Sequence, residues 1–297
     1  MSGAGMLNIR ARWQGAALTE IQVELRRPTI SRLFINQLPE AVLKAVPYLY
    51  TLCAEAQRAA AQLALAAARD EAPPALDHLA LWRECLHEHL WRLLLDWPIA
   101  LGLPAAREAF IAWRAQRLGV GLLAASEQLL SETLWPLAAQ AEARLPEAAT
   151  ATIAPEPALQ AGDWQAYWQG SRIHPPLPGQ PESVAAAYRG RLAAVTRCIE
   201  ALRTAADYPL AAGGGNGQGV GQVMTARGVL THALRLGEGR VVDYRVQAPT
   251  DVFFADGHYL AGLLNGRLFA DSTAARQGLE QAVLALDPCL AYQQQVN

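Results

Sequence analysis

Asp287-Pro288-Cys289 constrains the fold more tightly than any other stretch of this chain. Residues 273–286 read as a helix, and Pro288 must stop it. Proline has no N–H to donate, and it pushes the residue before it out of the α region. Cys289 then begins a short tail. Chain ends fray unless something ties them down. The thiol is therefore either a small apolar filler, the ordinary role of a buried cysteine, or a group that serves something other than packing. Local sequence does not decide between these.

The remaining chain reads as mainly α with small β-hairpins (α+β). Leu7, Ile9, Ala11 and Trp13 alternate with polar residues, Gln14-Gly15 turns, and Ile21, Val23 and Leu25 alternate again. That is a hairpin with one buried face, ended by Pro28. Pro39 and Glu40 suit the first turn of a helix, which Val42, Leu43 and Val46 continue and Pro47 should break or kink. Cys53 precedes an alanine-rich helix at 54–68. A long amphipathic helix at 75–97 carries Leu79, Trp82, Leu86, Leu90 and Leu93 on one stripe. Two more helices are expected at 105–118 and 122–142, the second kinked at Pro136. Trp82, Trp91, Trp97, Trp113 and Trp135 read as packing between them. Residues 145–182 lack sustained periodicity and read as a long irregular connection, broken by one aromatic helical turn at 163–168. Helix returns at 183–206, with Cys198 in its core. The glycine-rich segment 211–222 lacks the Lys-Ser/Thr of a P-loop and reads as a flexible loop, not a phosphate cradle. Residues 224–236 and 240–246, joined by Gly237-Glu238-Gly239, form a second hairpin. All of 1–297 reads as one domain.

The chain has 297 residues, ample for a real core; 52% hydrophobic and 18% charged residues exclude disorder. A net charge of −2 gives no electrostatic footprint for nucleic acid. The four cysteines, 53, 85, 198 and 289, form no CxxC pair, so reduced thiols in a cytoplasmic protein are expected. Residues 1–13 show no export signal, and helix 54–68 is too short and polar to span a bilayer, so no membrane partner is expected. Cys85 and His89 are spaced i,i+4, but no second ligand cluster lies nearby in sequence. Cys85-Leu86-His87-Glu88-His89 therefore reads as a polar helix edge and not as a zinc site.

Three stretches together resemble NiFe-hydrogenase large subunits. Asp287-Pro288-Cys289 is similar to that family's Asp-Pro-Cys-x-x-Cys-x-x-His, with Tyr292 at the second cysteine position and Gln295 at the histidine. The segment 50–57 resembles Cys-x-x-Cys-x-x-x-His, with Tyr50 at the first cysteine, Cys53 at the second and Gln57 at the histidine. Ala226-Arg227-Gly228, His232, Tyr244 and Ala248-Pro249-Thr250 follow the order of the family's Ala-Pro-Arg-Gly…His…Tyr…Pro-Thr. The family's N-terminal Arg-x-Glu-Gly-His is eroded to Ala4-Gly5-Met6, which implies loss of the glutamate associated with proton transfer.

The resemblance implies a reduced hydrogenase large-subunit-like fold. It also implies a site with two of the family's four thiolates, Cys53 at a bridging position and Cys289 at a nickel-terminal one. Tyrosines cannot supply the missing thiolates, so neither nickel binding nor hydrogen turnover is expected. Two thiolates suffice for an Fe(CN)2(CO) fragment, whose diatomic ligands already fill three positions. Arg227 is expected to donate to a cyanide nitrogen, and Asp287 to orient Arg227. Replacing Arg227 by alanine is expected to weaken retention of the fragment only in part. The match is closest to non-catalytic large-subunit-like maturation proteins of the HupK/HoxV type. Also expected is the absence of the C-terminal extension that hydrogenase precursors carry. The implied role is transient carriage of the iron fragment, with maturation proteins and a hydrogenase large-subunit precursor as partners. The alternative is a metal-free large-subunit mimic acting as an interaction or chaperone protein. Cys53 and Cys289 are expected to converge from opposite ends of the chain.

Overall fold

The computed structural model describes residues 5–145, 157–176 and 179–297. Part of the 145–182 connection and Ala4 of the eroded motif lie outside these.

The N-terminal hairpin forms as expected. Strands β1 (Met6–Gln14) and β2 (Ala17–Arg26) pair antiparallel, and Leu7, Ile9 and Ala11 point inward. A 3-10 turn at Ile30–Phe34 leads to α1 (Pro39–Leu49), which contains Pro47 but ends only at Tyr50. The alanine-rich helix is α2 (Ala54–Ala68). The long amphipathic helix is α3 (His78–Trp91), which passes through a π-helical turn at Arg92–Asp96 into α4 (Trp97–Ala100). Helix α5 (Arg107–Gln116) follows, and then α6 (Leu122–Leu129) passes through a second π turn, Leu130–Leu134, into α7 (Trp135–Glu142). Both π turns precede a Trp-Pro pair. Proline lacks the N–H that would continue the ladder, and a widened turn accommodates the gap. The expected disruption at Pro136 thus appears as a π turn, and Pro98 repeats it.

Two readings of α3 need correction. Leu79 is 54% exposed and faces away from the core. The 85–89 segment is no polar edge: Cys85, Glu88 and His89 are all buried, and arginines from other elements reach Glu88 and His89. Among the tryptophans, Trp82, Trp97 and Trp113 are core, whereas Trp91 and Trp135 are exposed.

The aromatic turn is α8 (Ala161–Trp168), and α9 (Val184–Thr204) is the helix that carries buried Cys198. The glycine-rich segment is not a flexible loop. It forms β3 (Leu210–Gly215) and β4 (Gln218–Thr225), which continue into β5 (Gly228–Gly237) and β6 (Arg240–Gln247) as a four-stranded antiparallel sheet. The reason is α2, which lies directly on β4. A Cβ at Gly219 would sit 1.9 Å from the Ala64 carbonyl oxygen, and one at Gly221 would sit 2.2 Å from that of Ala60. Glycine strand and alanine helix are two halves of one close contact, which fixes where α2 begins.

Helices α10 (Pro249–Phe253), α11 (His258–Leu264) and α12 (Ser272–Leu286) complete the helical part. Asp287 caps α12 in the left-handed region at φ 49°, which Asp tolerates better than most residues. The tail after Cys289 does not fray: β7 (Tyr292–Val296) pairs in parallel with β1, giving the order β2-β1-β7. A strand at each chain end thus shares one sheet. No described helix is long and apolar enough to cross a membrane.

Candidate functional site

Segments from both ends of the chain and from its middle meet around a cavity of about 530 Å³, and both Cys53 and Cys289 line it. Cys53 sits at the residue before α2, whose position the glycine strand sets. Its side chain does not cap the helix. Glu84 of α3 does so instead, accepting from the Glu55 and Ala56 N–H groups at 2.8 and 3.0 Å, which satisfies donors a helix start leaves free. Burial raises the Glu84 carboxyl to about 7, against the pull of those two N–H groups. Burial, with Glu84 and then Cys289 adding to it, raises the Cys53 thiol to about 12. Gln57, one turn along α2, directs its Nε2 at the Cys53 sulfur, 3.5 Å away.

Cys289 is held through its backbone. Its N–H donates to Thr250 Oγ1 at 3.0 Å, so the Pro249-Thr250 pair positions the tail cysteine. Arg27, at the end of the N-terminal hairpin, reaches the Cys289 sulfur with Nη2 at 3.5 Å and pairs with Asp251 at 2.6 Å. Burial lowers the Arg27 pKa, but Cys289 and Asp251 together raise it further, so the guanidinium stays charged. Tyr50 and Tyr292 line the same cavity. Gln295 does not line it; its amide bonds Asn297 at the surface.

Asp287 is completely buried behind the cavity. Arg92 Nε lies 2.6 Å from it, Arg191 Nη2 2.8 Å and Arg227 Nε 3.3 Å. Burial alone would raise this carboxyl, but the three guanidiniums hold it well below the ordinary carboxylate range. Arg92 also donates to the Pro288 carbonyl at 3.0 Å, which ties the Asp-Pro-Cys turn to the π turn after α3. Arg227, from the turn between β4 and β5, reaches Glu88 through Nη2 at 2.8 Å. Its remaining nitrogen, Nη1, takes part in neither pair. Arg92, Arg191 and Arg227 face Asp287, Glu88 and Asp96, so the cluster is close to charge-balanced. It offers directed hydrogen bonds to a ligand more than net attraction.

All four residues singled out from sequence thus belong to one region. Cys53, Cys289 and Arg227 line the cavity, and Asp287 stands behind Arg227. Sequence reasoning missed Arg27, Glu84, Glu88, Arg92 and Arg191. Arg191 had a legible signal: with Tyr188 and Val195 it falls on the apolar face of α9, where an unpaired charge would be costly. Glu88 and Arg27 carried none, since their partners come from distant elements. Among the described residues, no three His, Cys, Asp or Glu side chains are grouped to hold a metal ion.

No family model matches the chain. The hydrogenase expression/formation protein HupK of Azotobacter vinelandii is 32% identical, with 98% of each chain covered. HupV of Azotobacter chroococcum, of the same description, is 31% identical over 98% of each, and HupK of Rhizobium leguminosarum bv. viciae is 28% identical. The likeness therefore reaches well beyond the three motifs. Among solved structures, the Ni-Fe-Se hydrogenase of Desulfovibrio vulgaris Hildenborough matches with TM-score 0.58 at 11% identity, covering 93% of this chain and 94% of that one. An NAD+-reducing NiFe hydrogenase matches with TM-score 0.52 at 14% identity, covering 92% and 93%. The architecture is that of a NiFe-hydrogenase large subunit, and the chain belongs to the family of HupK-type hydrogenase expression/formation proteins.

Proposed function

We propose that this protein acts in hydrogenase maturation as a non-catalytic carrier, holding an Fe(CN)2(CO) fragment between Cys53 and Cys289 before passing it to a hydrogenase large-subunit precursor. The observation that carries this reading is the convergence of two thiols from opposite ends of the chain on one cavity edged by Arg27 and Arg227. Soft thiolates are the natural ligands for such an iron. Tyr50 and Tyr292, where a catalytic large subunit would have cysteines, leave too few ligands to retain nickel. A donor set this sparse suits cargo that must be released. Arg227 Nη1 and Arg27 supply charged donors for the cyanide nitrogens. The proposal includes a cytoplasmic location and maturation proteins that deliver the fragment.

The test is infrared spectroscopy of protein purified from a host with active hydrogenase maturation. Cyanide and carbonyl stretches are expected, and Cys53→Ser or Cys289→Ser should abolish them. Each serine variant should unfold within about 1 kcal/mol of the parent, since thiol-to-hydroxyl exchange barely alters volume. Full-intensity bands in either variant would refute the ligand assignment.

A second reading has its own support. Leu33, Leu38, Tyr48, Leu49 and Leu52 are exposed on and around α1, and Leu49 and Leu52 reach the cavity rim. A metal-free mimic that docks a hydrogenase-related partner would use such a face. Absence of the bands together with intact partner binding would favour it.

A further inference from the structure

Cys85 and Cys198 play no part in the carrier site, and sequence alone gives neither a chemical role: Cys198 reads as helix core and Cys85 as part of a polar helix edge. Their arrangement is unlike ordinary core cysteines. One lies on α3 and the other on α9, two helices packed along each other, and both line one cavity. They are buried but not sealed. A second cavity, of about 220 Å³, is lined by both thiols, by His89 one turn after Cys85, and by Arg191. Arg191 approaches the His89 ring at 3.4 Å. The Cys198 thiol, opposed by burial and helped by His89, holds the Cys85 thiol well below its ordinary value. Thiolate character and access are what make a cysteine reactive. Although His89 shares the cavity, no three His, Cys, Asp or Glu side chains among the described residues are grouped to hold a metal ion, which leaves two-thiol chemistry.

We propose that Cys85 and Cys198 are a redox-active dithiol that a small hydroperoxide entering the second cavity closes to a disulfide between α3 and α9. The Cys85 thiolate attacks the terminal peroxide oxygen, the O–O bond breaks, and a sulfenic acid forms as hydroxide leaves. The Cys198 sulfur then attacks the sulfenic sulfur, the S–OH bond breaks, and the hydroxide takes up the Cys198 proton as water. For hydrogen peroxide, the hydroxide that leaves in the first step takes up the proton the Cys85 thiol released, so two thiols are oxidised and one peroxide is reduced to two waters. The site borders the carrier cavity, since Thr225 and Arg227 line both. Helix α3 carries Glu88, Arg92 follows in its π turn, and α9 carries Arg191. The disulfide therefore ties together elements that hold Asp287 and Arg227.

The test uses the full chain carrying Cys53→Ser and Cys289→Ser, which leaves only this pair of thiols. Reduced protein is treated with hydrogen peroxide, alkylated with iodoacetamide under denaturing conditions and weighed. A mass loss of roughly 2 Da with neither thiol alkylated is expected, together with a tryptic cross-link between the Cys85 and Cys198 peptides that dithiothreitol removes. Circular dichroism before treatment confirms that the protein is folded. Two alkylatable thiols after treatment would overturn the proposal. So would cross-links between chains, or sulfinic acid on Cys85 with Cys198 still free. The same mapping on the four-cysteine protein should again find the 85–198 link. Exclusive pairing of 53 with 289 there would also overturn it.

Discussion

The Arg227 side chain is only 5% exposed and serves two carboxylates, Glu88 through Nη2 and Asp287 through Nε. Burial disfavours its charge, yet Asp287 and Glu88 raise its pKa beyond the ordinary value. Sequence alone makes Arg227 a ligand donor whose loss weakens cargo retention in part. The geometry predicts something more severe. Arg227→Ala leaves two buried carboxylates short of a partner, and removing one member of such a set costs about 3–5 kcal/mol. Guanidinium-chloride unfolding should show this loss, whereas Cys289→Ser should leave the midpoint nearly unchanged. An Arg227→Ala protein as stable as the parent would mean that Arg92 and Arg191 satisfy Asp287 without it, and that Glu88 finds solvent. The contrast separates a residue that holds the site up from one that only faces its cargo.

At the scale of elements, the contact between α2 and β4 decides where Cys53 sits. Its two halves were visible in sequence as an alanine-rich helix and a glycine-rich run, but as separate facts. A glycine run with no preceding strand looks like a loop, because the helix that makes glycine necessary lies about 150 residues earlier. Gly219→Ala would place a methyl 1.9 Å from the Ala64 carbonyl oxygen. Neither backbone can yield easily, so a loss of about 3 kcal/mol or more is expected in urea unfolding. The counterpart is Gly190 in α9, where an added methyl meets nothing within 4 Å. Gly190→Ala should stabilise the chain by about 0.5–1 kcal/mol through helix propensity. Equal effects at the two positions would refute the close-contact account. The π turns before Trp97-Pro98 and Trp135-Pro136 were half legible: proline announces a break in the ladder, but not that the helix continues beyond it.

For the whole molecule, the legible part was local, in both hairpins, most helices and the cysteine and arginine positions. What stayed hidden was long-range: β7 joining β1, Arg27 reaching Cys289, and the arginines gathered on Asp287. One such long-range network makes stability depend on pH. His232 is fully buried between Gln57 of α2 and Tyr244 of β6. Gln57 turns its NH2 toward Cys53, so its oxygen must accept; His232 Nε2 then donates to it and Nδ1 accepts from the Tyr244 hydroxyl. Each position is satisfied by the neutral ring, and burial lowers the His232 pKa from 6.5 to about 3. Between those values the unfolded chain binds a proton that the folded chain excludes. Stability due to this group therefore falls as pH drops through that window, by about 1.4 kcal/mol per pH unit. Glu84 acts in the opposite sense: its folded pKa is raised from 4.5 to about 7, so its contribution is lost as pH rises across that range. Between pH 4.5 and 6.5 the two slopes oppose each other, and the parent protein alone would show little. His232→Gln keeps hydrogen-bonding groups but cannot titrate. Urea unfolding of both proteins across this interval should show the parent losing about 1.4 kcal/mol per pH unit relative to the variant as pH falls. A pH-independent difference would mean that the His232 ring takes up its proton in the folded protein as readily as in the unfolded chain.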